Sequence, residues 1–197
     1  MFDRAIKKIR WADNNLLMSL LKVLYYNIFK LNRFAIFEFD LKQEFRGPSL
    51  DAQRFSIKIM GHEELRKLTI DMKNLPREFE MHEIDGVRHC VVIMAGDRMG
   101  HISWIYLKGD RDRWFDLDDD EAHVNYSFTF PEFRGMAFFP HALFACAEWL
   151  KARNYQRILM DVHEETIFML KSMKKIEGVE RIGTLSQWFI YRPKFRK

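Results

Sequence analysis

The chain has 197 residues, 48% of them hydrophobic and 30% charged, enough for one domain with a real core, or one domain and an appendage. That composition excludes a collagen-like, low-complexity or disulfide-stapled protein. The two cysteines, Cys90 and Cys146, stand in apolar contexts without Cys-x-x-C or His-rich spacing, so they read as reduced core residues of a cytosolic protein. The net charge of +4 invites a nucleic-acid reading until it is divided along the chain. Residues 1–33 hold seven Lys/Arg and two Asp, whereas the remainder holds 25 bases and 26 acids. The positive excess belongs to the N-terminal segment, no basic stripe interleaved with aromatics follows it, and no nucleic-acid partner is expected.

Residues 1–33 read as two helical stretches divided at Asp13-Asn14-Asn15, where a side chain can cap a new helix. In the second stretch Asn15, Ser19, Lys22, Tyr26 and Lys30 recur at intervals of four and three and form one narrow polar stripe. A helix apolar over the rest of its circumference is buried or lies in a lipid interface. Its apolar run, about 14 residues interrupted by Lys22, is short of the ~20 that a bilayer span needs. Phe29-Lys30-Leu31-Asn32 is also wrong for a cleavage site. Two readings stay open: packing on its own domain or in a homodimer, and peripheral attachment to the inner membrane face through Arg4, Lys7, Lys8 and Arg10. The chain thus divides into a basic amphipathic helical extension with a linking strand, 1–50, and a body, 51–197.

In the body the periodicity changes. Phe34–Asp40 and Phe55–Met60 read as strands, Glu63–Met72 as a helix with Leu65, Leu68 and Met72 on one face, and Pro76 as its end or the start of the next element. Strands follow at Arg88–Ala95 and His101–Leu107, with hairpin chemistry in the five residues between. The loop 108–122 holds seven acids and two bases from Asp110 to Glu121; it reads as a solvated loop able to attract a cation, without EF-hand spacing, and no metal site is expected. Then come a strand at His123–Phe130, a turn at Pro131–Gly135, and a strongly amphipathic helix over 136–153. A buried strand at Arg157–Val162, a helix at Glu165–Lys174, and two strands between Val179 and Tyr191 complete a mixed α/β or α+β sheet protein.

The chemistry centres on Phe130-Pro131-Glu132-Phe133-Arg134-Gly135-Met136-Ala137-Phe138-Phe139, a strand, a proline turn and an Arg-Gly opening a long helix. A helix N-terminus presents free N–H groups and a positive dipole end to an anion, and Gly135 lets the backbone curl around a phosphate. With Pro-Glu-Phe-Arg-Gly close to the pattern P-x-Y-R-G, the chain from about Arg54 to Tyr191 resembles the GNAT superfamily of acyl-CoA-dependent N-acetyltransferases. The resemblance implies a GNAT-like acyltransferase fold carrying an N-terminal helical extension.

It also implies acetyl-CoA or another acyl-CoA as co-substrate, and a small-molecule amine as acceptor that attacks the thioester directly. By the same resemblance Phe128, Thr129 and Phe130 on the strand, and Arg134, Gly135, Met136, Ala137, Phe138 and Phe139 on the loop, are the cofactor-binding residues. The family loop is commonly R-G-x-G-x-G/A, so Ala137 and Phe139 depart from it. By count His163 takes a position usually held by Asn, and Leu170 the position of a Tyr acid. Candidate catalytic residues on the preceding strand are His123, Asn125 and Tyr126: a histidine with an ordinary pKa near 6.5 suits deprotonating an ammonium acceptor, while the plainer reading is that His123 caps a strand end. His89, His101, His141 and His163 read as ordinary surface or core residues.

Overall fold

The computed structural model describes residue 21 and residues 31–72, 75–188 and 193–195. Apart from residue 21, the two helical stretches expected before residue 31 lie outside the described residues, as do residues 189–191 of the last expected strand. Among the described residues no helix is long and apolar enough to cross a membrane.

Among the described residues seven strands form one sheet: β1 (Asn32–Asp40), β2 (Phe55–Gly61), β3 (His89–Ala95), β4 (Arg98–Tyr106), β5 (Glu121–Thr129), β6 (Arg157–His163) and β7 (Val179–Gln187). Their spatial order is β2-β3-β4-β5-β6-β1-β7, antiparallel except for the β5–β6 pair. Among the described residues four helices accompany them: α1 (His62–Thr69), α2 (Met81–Asp85), α3 (Phe138–Lys151) and α4 (Ile167–Met173). Helix α3 buries Phe138, Ala142, Leu143, Cys146, Ala147 and Leu150 against Val91, Ile93, Ile105, Ala122 and Val124. The opposite face holds a second core of Met60, Leu65, Phe79, Met81, Val92, Ile102 and Trp104 under α1 and α2. Alternation along β3 and β4 supplies both layers, which is why these strands are apolar almost throughout.

The first strand is not merely a link. Phe34–Asp40 pairs with His163–Arg157 on one side, while Asn32–Phe39 pairs with Gln187–Val179 on the other, so β1 is an interior strand. Ala35, Ile36 and Phe39 are wholly buried by this placement.

Other boundaries shift. Helix α1 ends at Thr69 rather than Met72, because only Leu65 of its expected face finds a core, while Leu68 and Met72 are exposed. Strand β4 begins at Arg98, three residues early, since a two-residue turn at Gly96-Asp97, with Gly96 at φ +60°, suffices. The 3₁₀ turn Arg77–Glu80 and helix α2 have no periodic sequence signal, and Pro76 starts the turn. One strand, not two, covers Val179–Gln187, with a register shift beside Gly183 absorbed opposite Ile36/Phe37. Both cysteines are free and buried, and burial pushes the Cys90 thiol up to about 12.

Candidate active site

Strands β5 and β6 run side by side for three residues and then part. Their pairing covers Glu121↔Arg157, Ala122↔Ile158 and His123↔Leu159. Beyond it, side chains take over: Asn125 Nδ2 donates to Asp161 Oδ1 at 2.8 Å. Strand β5 is bent away at this point by a bulge. Between the pairs Trp104↔Asn125 and Ile102↔Phe128, the single residue Ser103 faces both Tyr126 and Ser127. Tyr126 has φ +48°, a conformation that a β-branched or bulky residue adopts only when its surroundings enforce it. Part of that enforcement is local, since the Asn125 side-chain oxygen accepts the Tyr126 N–H at 2.6 Å.

The strand then runs into the corner singled out by sequence. Pro131–Phe133 forms a 3₁₀ turn whose Phe133 N–H donates to Phe130 O at 2.9 Å. Each residue of Pro-Glu-Phe-Arg-Gly has a distinct part in it. Pro131 supplies the fixed φ of a first turn. Glu132 is ion-paired to Arg98 of the β3–β4 hairpin, and the same guanidinium lies over the Phe133 ring. Phe133 is buried and stacks on Phe138, with ring centroids 5.9 Å apart. Arg134 stays exposed, its Nε donating to Thr129 O at 3.3 Å. Gly135 takes φ +85°, with nothing within 4 Å of where a Cβ would stand.

Ala137, where the family pattern has glycine, keeps a left-handed backbone at φ 54° as the residue capping α3. The N–H groups of Gly135, Ala137, Phe138 and Phe139 have no backbone partner among the described residues, and the Met136 N–H makes one long bond to Phe133 O at 3.4 Å. Residues 134–137 are exposed, whereas the rings of Phe133 and Phe138 lie beneath the loop. Phe139, bulky where the pattern is small, is half-buried with its ring 6.4 Å from His101, turned toward the sheet. Pro140 has no N–H to offer, and the first turn of α3 tolerates it. The corner therefore presents outward amides and an exposed guanidinium at the positive end of a 14-residue helix, a donor set that fits a pyrophosphate.

Of the candidate bases, none is a free one. His123 is fully buried, Nδ1 2.6 Å from Asp112 Oδ2 and Nε2 2.9 Å from Asp161 Oδ1. Burial alone would drive its pKa down, but the two carboxylates outweigh burial and hold it at about 9. The ring is thus an imidazolium with both nitrogens donating, and its place is structural. Asp112 in turn accepts the Trp114 and Phe115 N–H groups, so the start of the acidic loop is pinned rather than solvated, and Phe115 is buried. Asn125 bridges to Asp161, as above. For Tyr126, burial pushes the phenol up against the opposing pull of Arg113, with Asp85 adding to the rise. Near it, Asp85 is buried and accepts from Tyr106 Oη at 3.1 Å and from Arg113 Nη2 at 2.7 Å. A cavity lined by Leu107, Asp110, Asp112, Phe115 and Lys194 lies under the acidic loop, away from the corner. Its acids are taken up internally: Asp110 accepts from the Leu107 N–H and from Arg88, and Asp116 pairs with Lys194.

Phe128, Thr129 and Phe130 line the freed end of β5 and are half-buried, with Phe128 and Phe130 edge to face at 5.2 Å. His163 Nε2 lies 3.3 Å from Asn32 Oδ1, and Leu170 packs on the α3 core, so neither supplies an acid at the gap. Sequence reading missed Asp161, which meets His123 and Asn125 from 38 and 36 positions away, and the pair Ser103 and Ser127, 24 positions apart.

No family model and no curated protein matches the chain. Solved structures do. A tandem GNAT protein from the clavulanic acid biosynthesis pathway superposes with a TM-score of 0.57 at 12% identity over 88% of this chain. The glucosamine N-acetyltransferase region of a fungal multi-domain β-N-acetylglucosaminidase gives 0.55 at 12% identity over 88% of this chain. A GNAT-family acetyltransferase from Colwellia psychrerythraea gives 0.52 at 10% identity over 88%. This chain spans 57%, 23% and 60% of their respective lengths. With its seven-stranded sheet, its parted central strands and its helix-capped corner, the chain has the fold of the GNAT acetyltransferases.

Proposed function

We propose that the protein is an acyl-CoA-dependent N-acyltransferase that passes an acetyl group to the primary amine of a small molecule by direct attack. The observation that supports this most is that β5, once it parts from β6 after His123, runs on into the corner whose amides at Gly135, Ala137, Phe138 and Phe139 have no backbone partner among the described residues. In this reading the corner amides and the Arg134 guanidinium hold the pyrophosphate. Phe128, Thr129 and Phe130 run beside the thioester arm, and main-chain groups freed from β6 pairing polarise the carbonyl. The bulge at Tyr126 sets their aim, and the Asp161–His123–Asp112 pairing keeps the strands rigid below it. Holding amine and thioester in one gap supplies much of the rate, since it removes the entropy of a bimolecular encounter.

The test is a thermal shift and calorimetric titration with acetyl-CoA, longer acyl-CoAs and free CoA, followed by acetylation of a primary-amine panel. Specific binding raises the melting temperature by mass action. No shift with any CoA ester at millimolar concentration defeats the proposal.

A second reading, a non-catalytic acyl-CoA-binding module, draws on Leu170 standing where a Tyr acid is expected and on His123 being fully engaged. It predicts the same thermal shift without turnover of any amine.

A further inference from the structure

Four polar side chains sit in a layer that is otherwise apolar. On the α3 face of the sheet, Ile93, Ile105 and Val124 surround positions 101, 103, 127 and 129, which are His, Ser, Ser and Thr. They form one chain of hydrogen bonds. Thr129 Oγ1 lies 2.7 Å from His101 Nδ1. His101 Nε2 lies 2.8 Å from Ser103 Oγ, and Ser103 Oγ lies 2.6 Å from Ser127 Oγ.

The inner members are sealed, His101 at 1% and Ser103 at 0% exposure, while Ser127 and Thr129 are partly exposed on the freed end of β5. The bulge makes this possible: by putting Tyr126 and Ser127 opposite Ser103, it brings the Ser127 hydroxyl onto this face. Burial pushes His101 down to about 3; Thr129, Ser103 and the Phe139 ring face it, and no charged side chain does so among the described residues. A core strand gains nothing from such a set. Each buried polar group costs about 1–3 kcal/mol if any partner is lost, and Val or Ile would serve packing better.

We propose that Ser127, Ser103, His101 and Thr129 form a proton wire that serves amide formation at the gap. The inference rests on the acyltransferase reading. A neutral imidazole conducts without holding charge: it accepts at one nitrogen while releasing from the other. As the C–N bond forms, the amine proton passes to Ser127 Oγ. The Ser127 proton then moves to Ser103 Oγ, the Ser103 proton to His101 Nε2, and the His101 Nδ1 proton to Thr129 Oγ1, whose own proton leaves to solvent. As the C–S bond breaks, the same chain runs in reverse and delivers one proton from solvent through Ser127 to the thiolate sulfur. One N–H proton leaves, one S–H proton arrives, and the original tautomer is restored. Both reacting atoms are bonded to the same carbon, so a single hydroxyl reaches both, and Leu170 needs no acid in its place. Ser127 is the catalytic member; Ser103, His101 and Thr129 act through it.

The test compares wild type, Ser127→Ala and Ser103→Ala in acetyl transfer from acetyl-CoA to glucosamine, spermidine and a lysine peptide. The expected result is a fall in kcat of at least about 100-fold in both variants, with KM for acetyl-CoA within about twofold. The solvent isotope effect on kcat, with a curved proton inventory in wild type, becomes smaller in Ser103→Ala. Ser127→Thr, which keeps the hydroxyl at a partly exposed position, retains activity. Unchanged kcat in Ser127→Ala, with acetyl-CoA binding intact by thermal shift, overturns the wire alone. Absence of acetyl-CoA binding in wild type overturns the acyltransferase reading and the wire with it.

Discussion

Asn125 and Asp161 meet across the point where two parallel strands stop pairing, Nδ2 to Oδ1 at 2.8 Å. The same carboxylate oxygen lies 2.9 Å from His123 Nε2, so one aspartate closes the foot of the gap and fixes a buried imidazolium. Asp161→Asn removes one of the two charges that hold the His123 proton. The expected outcome is a lower His123 pKa by NMR titration, with a loss of about 1–3 kcal/mol in denaturant unfolding.

The buried histidines predict opposite limbs of a stability profile. His123, raised to about 9, contributes stability that is fully present below about pH 6.5, its unfolded value, and is lost as pH rises through 9. His101, depressed to about 3, is neutral in the fold while the unfolded chain gains a proton below about pH 6.5, so stability falls as pH drops from 6.5 toward 3. Denaturant unfolding across pH 4–10 is expected to give a maximum near neutrality. In a His101→Asn protein the acid-side decline flattens, whatever the total stability.

The corner separates backbone geometry from side-chain bulk. Ala137 at φ 54° carries a left-handed strain of about 1–2 kcal/mol that glycine does not. Ala137→Gly therefore leaves stability unchanged or raises it by up to about 1 kcal/mol, since glycine's unfolded-state entropy offsets part of the relief. Acyl-CoA affinity is retained. Gly135→Val finds open space at its Cβ, yet sits at φ +85°, so the loop must rearrange; the expected loss of acetyl-CoA affinity, read by calorimetry, exceeds tenfold.

Under the same helix, Gly100 leaves room for the Phe138 ring: a Cβ there would stand 2.7 Å from Phe138 Cε2. Gly100→Ala is expected to cost about 1–3 kcal/mol by overpacking and to shift the start of α3, visible as a lower melting temperature with weaker acetyl-CoA binding.

What local sequence could show, it did. The turn at Pro131–Gly135 and the long helix after it depend on neighbours a few positions away, as do the alternating strand Phe55–Met60 and the apolar strand expected at Arg88–Ala95, and all of them stand in the structure. Helix α1 was legible in type but not in length, because its exposed Leu68 and Met72 have helical spacing without a core to meet. The state of His123 was not legible. A histidine near a strand start looks like a free base until Asp112, 11 positions before it, and Asp161, 38 after it, converge on its two nitrogens. Likewise a His-x-Ser and a Ser-x-Thr on separate strands are unremarkable until a bulge sets them face to face.

The placement of β1 bears on how the chain is made. Asn32–Asp40 is synthesised well before both of its neighbours, residues 157–163 and 179–187. During translation this aromatic segment has no edge to join, and closure waits for contacts more than 100 residues apart, the kind that folds slowly and exposes unpaired backbone meanwhile. Removing residues 1–30 should leave this late closure possible, whereas removing residues 1–40 takes out the keystone of the sheet and should leave a nascent chain that chaperones hold and proteases clear.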